Sequence, residues 1–158
     1  MDKQLFIKQV ESSQRAVRRF LTALCCGDNA LADDLAQDTF VKAYLSIDSF
    51  RGGCKFSTWI YRIAYNTFIS SRRTYKLCDS LDKAVNIDSE KRADSGFDYQ
   101  SLYMALDRLS SKERTAILLY YMQGYAINEI AEITESSVEA VKNQLSRGRQ
   151  HLRGLLKE

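Results

Sequence analysis

An all-α fold of two small helical domains joined by a flexible linker is predicted by three observations. The chain of 158 residues has no proline and only 7 glycines, so little in it interrupts helices. Apolar residues recur at i, i+3, i+4 spacing through much of its length, the pattern of helices with one buried face. A polar stretch of mixed charge, Cys78 to Gly96 (CDSLDKAVNIDSEKRADSG), is poor in large apolar residues and divides two such regions as a tether does. The predicted boundaries are 1–77 for the first domain, 78–96 for the linker and 97–158 for the second. Apolar residues at 45% suffice for a packed core in each.

Along the first domain, Val17, Phe20, Leu21 and Leu24 form an early apolar stripe that ends near CCGDN. Gly27 suits a helix C-terminus there, and Asp28 suits the N-cap of the next helix. Ala32, Leu35, Ala36, Thr39, Phe40, Ala43, Tyr44 and Ile47 then keep helical spacing, with Asp34 and Asp38 on the opposite side. After the loop DSFRGGCK, Ser57 is the expected cap of a third helix buried along Ile60, Ile63, Ala64 and Thr67. Beyond the tether, Leu102, Leu106 and Leu109 lead to SSKE, where Ser110 and Glu113 have capping-box spacing. TAILLYYMQGY follows. Ile130 and Ile133 edge a short helix, TESS makes a turn, and Val138, Val141, Leu145, Leu152 and Leu155 mark a longer one. A short helix, a tight turn and a longer helix form the pattern of a helix-turn-helix, whose second helix can enter the DNA major groove.

Several function classes are excluded at this level. No apolar run reaches the roughly 20 residues that span a bilayer, and MDKQLFIKQVESSQ lacks a signal-peptide layout, so a cytoplasmic protein without membrane insertion is expected. Cys25, Cys26, Cys54 and Cys78 contain no CxxC pair and lie far from His151, the single histidine. No metal site and no cofactor are expected, and the cysteines read as reduced, small hydrophobes. No catalytic residue is assigned, since the acids around Asp34 and Asp38 lack nearby His or Lys partners and Ser57 has no His in its segment.

The net charge of +3 says less than its distribution. From Ser49 to Cys78 there is no acid, yet Arg51, Lys55, Arg62, Arg72, Arg73 and Lys76 are present. From Ala140 to Lys157 the same holds, with Lys142, Arg147, Arg149, Arg153 and Lys157. Asp28, Asp33, Asp34, Asp38 and Asp48 instead crowd a segment whose only base is Lys42. Two basic blocks and one acidic block imply two nucleic-acid surfaces and a separate protein partner.

On the last helix, the face opposite Val138, Val141, Leu145 and Leu152 carries Glu139, Ala140, Asn143, Arg147 and Gln150, with Lys142 and Ser146 on its flank. Asn and Gln can pair with adenine, Arg with guanine and Glu with cytosine, while Lys142 and Arg149 suit phosphate. An ordinary solvated face is the competing reading. The third helix places Trp59, Arg62, Asn66 and Arg73 on one stripe opposite its buried edge. Aromatic rings interleaved with cations suit unpaired bases, each stack contributing about 1–3 kcal/mol. Core packing competes for the same rings, most strongly for Tyr61 and Phe68.

These segments carry a resemblance. DDLAQDTFVKAYLSIDSF, FSTWIYRIAYNTFISSRR, LDRLSSKERTAILLYYMQGYAINEIAEI and SSVEAVKNQLSRGRQHLRGLL resemble, in order, the core and carboxy-terminal regions of the extracytoplasmic-function group of bacterial sigma-70 family factors. The resemblance implies an alternative sigma factor that brings core RNA polymerase to promoters and promotes melting. It implies that Asp33, Asp34, Gln37, Asp38 and Val41 dock on the clamp of the polymerase largest subunit. Phe50, Arg51, Lys55, Phe56, Trp59, Arg62, Asn66, Arg72 and Arg73 would open and read the minus-ten element, a flipped base being held by the loop DSFRGGCKF. Ser137, Glu139, Ala140, Lys142, Asn143, Ser146, Arg147 and Gln150 would read the minus-thirty-five element. Further implied contacts are the flap of the second-largest subunit, a path for the tether through the polymerase, and an anti-sigma factor. The chain departs from the family in having Ser70 where an acid is common, and Glu135 where the turn commonly has glycine. A stand-alone helix-turn-helix regulator is the rival reading, and would need two recognition helices set about one DNA turn apart.

Overall fold

The computed structural model describes residues 2–50, 52–79 and 99–156, side chains at 74–79 and 99 excepted. Seven α-helices and no strand occur among the described residues. The predicted linker from residue 80 onward, and Arg51, lie outside them.

The first three helices form one bundle. α1 (Lys3–Leu24) begins well before the stripe legible at Val17, because Phe6 is also buried, edge-on to Phe56 at 6.1 Å. Its end uses two left-handed residues, Cys26 (φ 54°) and Gly27 (φ 92°), and the Gly27 N–H returns to the Thr22 carbonyl at 2.9 Å. Asp28 then caps α2 (Asn29–Leu45), accepting from the Leu31 N–H at 3.1 Å. Ala32, Leu35, Ala36, Thr39 and Ala43 bury the expected face of α2. Tyr44 is 44% exposed and so leaves the expected stripe. Ile47 is buried in a short 3-10 turn, Ile47–Ser49, rather than in α2. α3 (Phe56–Asp79) starts one residue before Ser57, so Ser57 lies in its first turn and does not cap it; its hydroxyl meets Tyr125. α3 runs two residues into the stretch read as tether.

The remaining helices are shorter. α4 (Tyr99–Asp107) leads to α5 (Ser111–Ile117), whose cap Ser110 accepts from the Glu113 N–H at 3.2 Å. The reciprocal half of that capping box is missing, because the Glu113 carboxylate turns to His151 Nδ1 at 3.0 Å. A single π-helical turn, Leu118–Met122, continues α5. α6 (Ile127–Thr134) and α7 (Val138–Leu156) follow, packed through Ile130, Ile133, Val141 and Leu145. Gly148 lets α7 approach α5: a Cβ there would sit 2.8 Å from Ile117 Cγ1. That close contact explains a glycine inside a helix, where it otherwise costs about 1 kcal/mol.

The turn between α6 and α7 forms with Glu135 in the left-handed region, at φ 54° and ψ 45°. A non-glycine residue there costs about 1–2 kcal/mol, partly offset by the smaller backbone entropy it loses on folding. Glu135→Gly is therefore expected to stabilise the chain by about 0.5 kcal/mol or more, read as a higher urea midpoint with an unchanged slope. A lower midpoint would show that Glu135 makes a compensating interaction.

Arg114 joins the halves of the molecule. It is 2% exposed, and among the described residues no acid meets it. Its guanidinium donates to the carbonyls of Leu106 (2.8 Å), Asp107 (3.4 Å) and Leu109 (3.1 Å) at the end of α4, and of Leu24 (2.8 Å) at the end of α1. Two helix C-termini thus supply the negative potential that a buried cation requires.

Candidate nucleic-acid interface

α7 presents a continuous polar band. Glu139, Lys142, Asn143, Ser146, Arg147 and Gln150 are exposed, and Ala140 is half-buried beside them. Ser137 is exposed too, but its hydroxyl accepts from the Ala140 N–H at 3.1 Å, so it caps α7. Lys142 lies 4.0 Å from Glu139, one turn away and open to water, a pair too weak to hold either side chain from a ligand. Val138, expected in the core, is 40% exposed. Arg149, read above as a phosphate ligand, is a structural tie instead. Its Nε donates to the Tyr121 hydroxyl at 2.7 Å, and the guanidinium lies 5.9 and 5.8 Å from the Tyr120 and Tyr121 ring centroids.

On α3 the expected stripe is interrupted. Trp59 is only 8% exposed, its ring centroid 5.0 Å from Phe50 and 5.6 Å from Phe56, itself buried. The loop before α3 brings Phe50 back onto the helix, covering a side that periodicity within one helix assigns to solvent. Tyr61 and Phe68 are buried as core packing required. Lys55, Asn66 and Arg73 are exposed, Phe50 and Arg62 half-buried. Arg72 is half-buried, with an enclosed Nε that finds no hydrogen-bond acceptor among the described residues.

Part of α3 meets the carboxy-terminal half. Arg62 Nε donates to the Glu132 carbonyl at 3.2 Å, Lys55 Nζ lies 3.9 Å from Glu129 Oε2, and the Tyr61 hydroxyl donates to Gln123 Oε1 at 2.7 Å. Tyr61 also packs edge-on to Tyr125 at 5.4 Å. Burial, with Tyr125 adjacent, raises the Tyr61 pKa, so the phenol stays a donor. Burial first, and Asp28 next, pushes the Cys25 thiol up to about 12, which keeps it protonated at neutral pH.

The acidic face of α2 is open. Asp34, Gln37, Asp38 and Val41 are exposed, whereas Asp33 is held by Arg18 at 3.0 Å. Leu45 is 76% exposed and extends this face, a position the core-directed reading of α2 passed over. The signal was present: positions 34, 38, 41 and 45 follow one helical stripe.

Comparison with known proteins follows the same division. The Sigma-70 region 2 family matches residues 9–77, and the Sigma-70, region 4 family matches residues 99–152. The chain is 36% identical over 143 residues to the ECF RNA polymerase sigma factor SigW of Bacillus subtilis, covering 80% of this chain and 76% of that protein. It is 30% identical over 164 residues to the ECF RNA polymerase sigma-E factor of Haemophilus influenzae, covering 94% and 86% respectively. Among solved structures, the sigma factor RpoE in complex with the anti-sigma factor NepR from Bartonella quintana superposes with a TM-score of 0.82 at 29% identity, over 96% of both chains. CnrH, solved in complex with the cytosolic domain of CnrY, shares the fold, with a TM-score of 0.76 at 24% identity over 99% of this chain and 90% of that one.

Proposed function

We propose, on the premise that this chain belongs to the extracytoplasmic-function group of the sigma-70 family, that α7 reads the minus-thirty-five element and the exposed cations of α3 engage the minus-ten element. The protein is an alternative sigma factor acting with RNA polymerase. Such factors initiate transcription by placing a polymerase rather than by catalysing a step. The stand-alone regulator is not favoured, since both halves of the chain match sigma-70 regions.

The observation that carries the DNA reading is the open band on α7, borne on a helix-turn-helix whose turn is closed and whose N-terminus is capped. Arg147 and Asn143 lie at the centre of the band, suited to guanine and adenine edges. On α3, Lys55, Arg62, Asn66 and Arg73 are the side chains available to a separated strand; Trp59 supports the loop that carries Phe50. Asp34, Gln37, Asp38 and Val41 dock on the polymerase clamp. The apolar groove of about 420 Å³ lined by Leu102, Leu106, Leu118, Tyr121 and Met122 suits an apolar helix and is assigned to the flap. An anti-sigma factor is a further partner, in keeping with the complex that the similar sigma factor RpoE forms.

Holoenzyme assembled with purified core polymerase, selecting sites from a random duplex pool, tests the assignment. Arg147→Ala is expected to weaken binding to the selected site by about 1–3 kcal/mol and to relax preference at one base pair, while Lys142→Ala weakens all sequences alike. Equal loss on every sequence for Arg147→Ala would remove it from base readout.

A further inference from the structure

Three arginines of α1 have no part in the functions assigned above. Arg15, Arg18 and Arg19 stand on one polar stripe of the helix, opposite its buried Val17, Phe20 and Leu24. With Glu11 they line one side of a cleft of about 820 Å³, whose other wall includes Tyr103 of α4 and Met122 of the π turn. Among the described residues, neither α3 nor α7 contributes to it. Arg15 and Arg19 are exposed, and neither joins a hydrogen bond or ion pair among the described residues. Arg18 meets Asp33 through Nη1 at 3.0 Å and uses neither Nε nor Nη2 in a hydrogen bond among the described residues.

We propose that this cleft binds a nucleoside triphosphate, with its phosphates on the three arginines and its base against Tyr103 and Met122. Arg15 and Arg19, one turn apart, repel each other, so helix stability does not account for the pair. A polyanion does. At a rise of about 1.5 Å per residue, Arg15 and Arg19 are about 6 Å apart along the axis, with Arg18 between them. Three planar guanidinium forks at that spacing converge on neighbouring phosphates and bind them bidentately.

The remaining lining gives the ligand a direction. Glu11 lies about 6 Å beyond Arg15 along the axis, where a carboxylate repels phosphate and accepts from a ribose hydroxyl. The triphosphate therefore points toward Arg19 and the sugar toward Glu11. Tyr103 and Met122 supply an aromatic ring and a thioether, both suited to the flat face of a base. A cleft of this volume takes a small molecule rather than a duplex. The inference is independent of the functional reading above, since none of these residues is assigned to DNA or polymerase.

Isothermal titration of the full chain with ATP, at constant ionic strength, tests the site. One saturable site with a dissociation constant below about 1 mM is expected. Tripolyphosphate should bind about tenfold more weakly for want of the stacked base, and adenosine more weakly still. Arg15→Ala with Arg19→Ala should weaken ATP about a hundredfold, each lost charge-assisted contact contributing about a factor of ten. Lys3→Ala with Lys8→Ala removes the same charge from exposed positions of α1 outside the cleft and should leave ATP binding unchanged. If the arginine-to-alanine variant loses helical signal, Arg15→Lys with Arg19→Lys keeps the charge without the fork, and about a tenfold loss is expected. No saturation by ATP, or equal losses from the arginine and lysine variants, would overturn the site. Tripolyphosphate binding as tightly as ATP would remove the nucleoside from the proposal and overturn it in this form.

Discussion

Reversing the charge at both Asp34 and Asp38 is expected to abolish assembly with core RNA polymerase while leaving the fold unchanged. Both side chains are exposed on the side of α2 opposite Leu35 and Ala36, and neither joins an ion pair or hydrogen bond among the described residues. Like charges one helical turn apart repel by a few tenths of a kcal/mol, so intramolecular stability does not account for them. The proposed docking would, with Val41 and Leu45 adding apolar area on the same stripe. Asp33 is the useful contrast, because Arg18 already neutralises it. Asp34→Lys with Asp38→Lys should keep the circular dichroism spectrum and melting temperature and lose co-elution with core polymerase on gel filtration. Wild-type assembly should weaken as salt rises, as electrostatic docking does. Retention of holoenzyme by the double variant would take α2 out of the docking surface.

Arg114→Ala is expected to be the most destabilising single change, at about 3–5 kcal/mol. The side chain is buried and serves four carbonyls at two helix ends, so truncation both opens a cavity and strands acceptors that water reaches poorly. Urea unfolding of the full chain reads the loss directly. A cost below about 1 kcal/mol would mean that the freed carbonyls are hydrated, and that the arginine only fills space.

The sequence made some of this legible and hid the rest for identifiable reasons. Helical spacing found the buried faces of α2 and most of α7, and local chemistry found Asp28 and Ser110 as caps, because these depend on neighbours within a few residues. Trp59 was misplaced because its cover, Phe50, comes from a loop that folds back over α3. Ser57 was misread as a cap because its partner, Tyr125, is 68 positions away. Arg114 and Arg149 look like solvent-facing cations in a one-dimensional pattern; carbonyls at helix ends and tyrosines on a π turn make them structural. The same gap concealed the covering of α3, since no property of residues 55–62 alone announces that α6 lies against them.

Two of the polar contacts between the halves, Arg114 to Leu24 and Arg62 to Glu132, end on main-chain oxygens. Every residue type carries that oxygen, so no substitution at position 24 or 132 deletes the acceptor, whereas one substitution at either arginine deletes the bond. Drift on the accepting side is thus tolerated without a compensating change, and no paired variation between donor and acceptor positions should develop. Adjustment of the hold between the two halves through these bonds is therefore open to mutation from the arginine side alone.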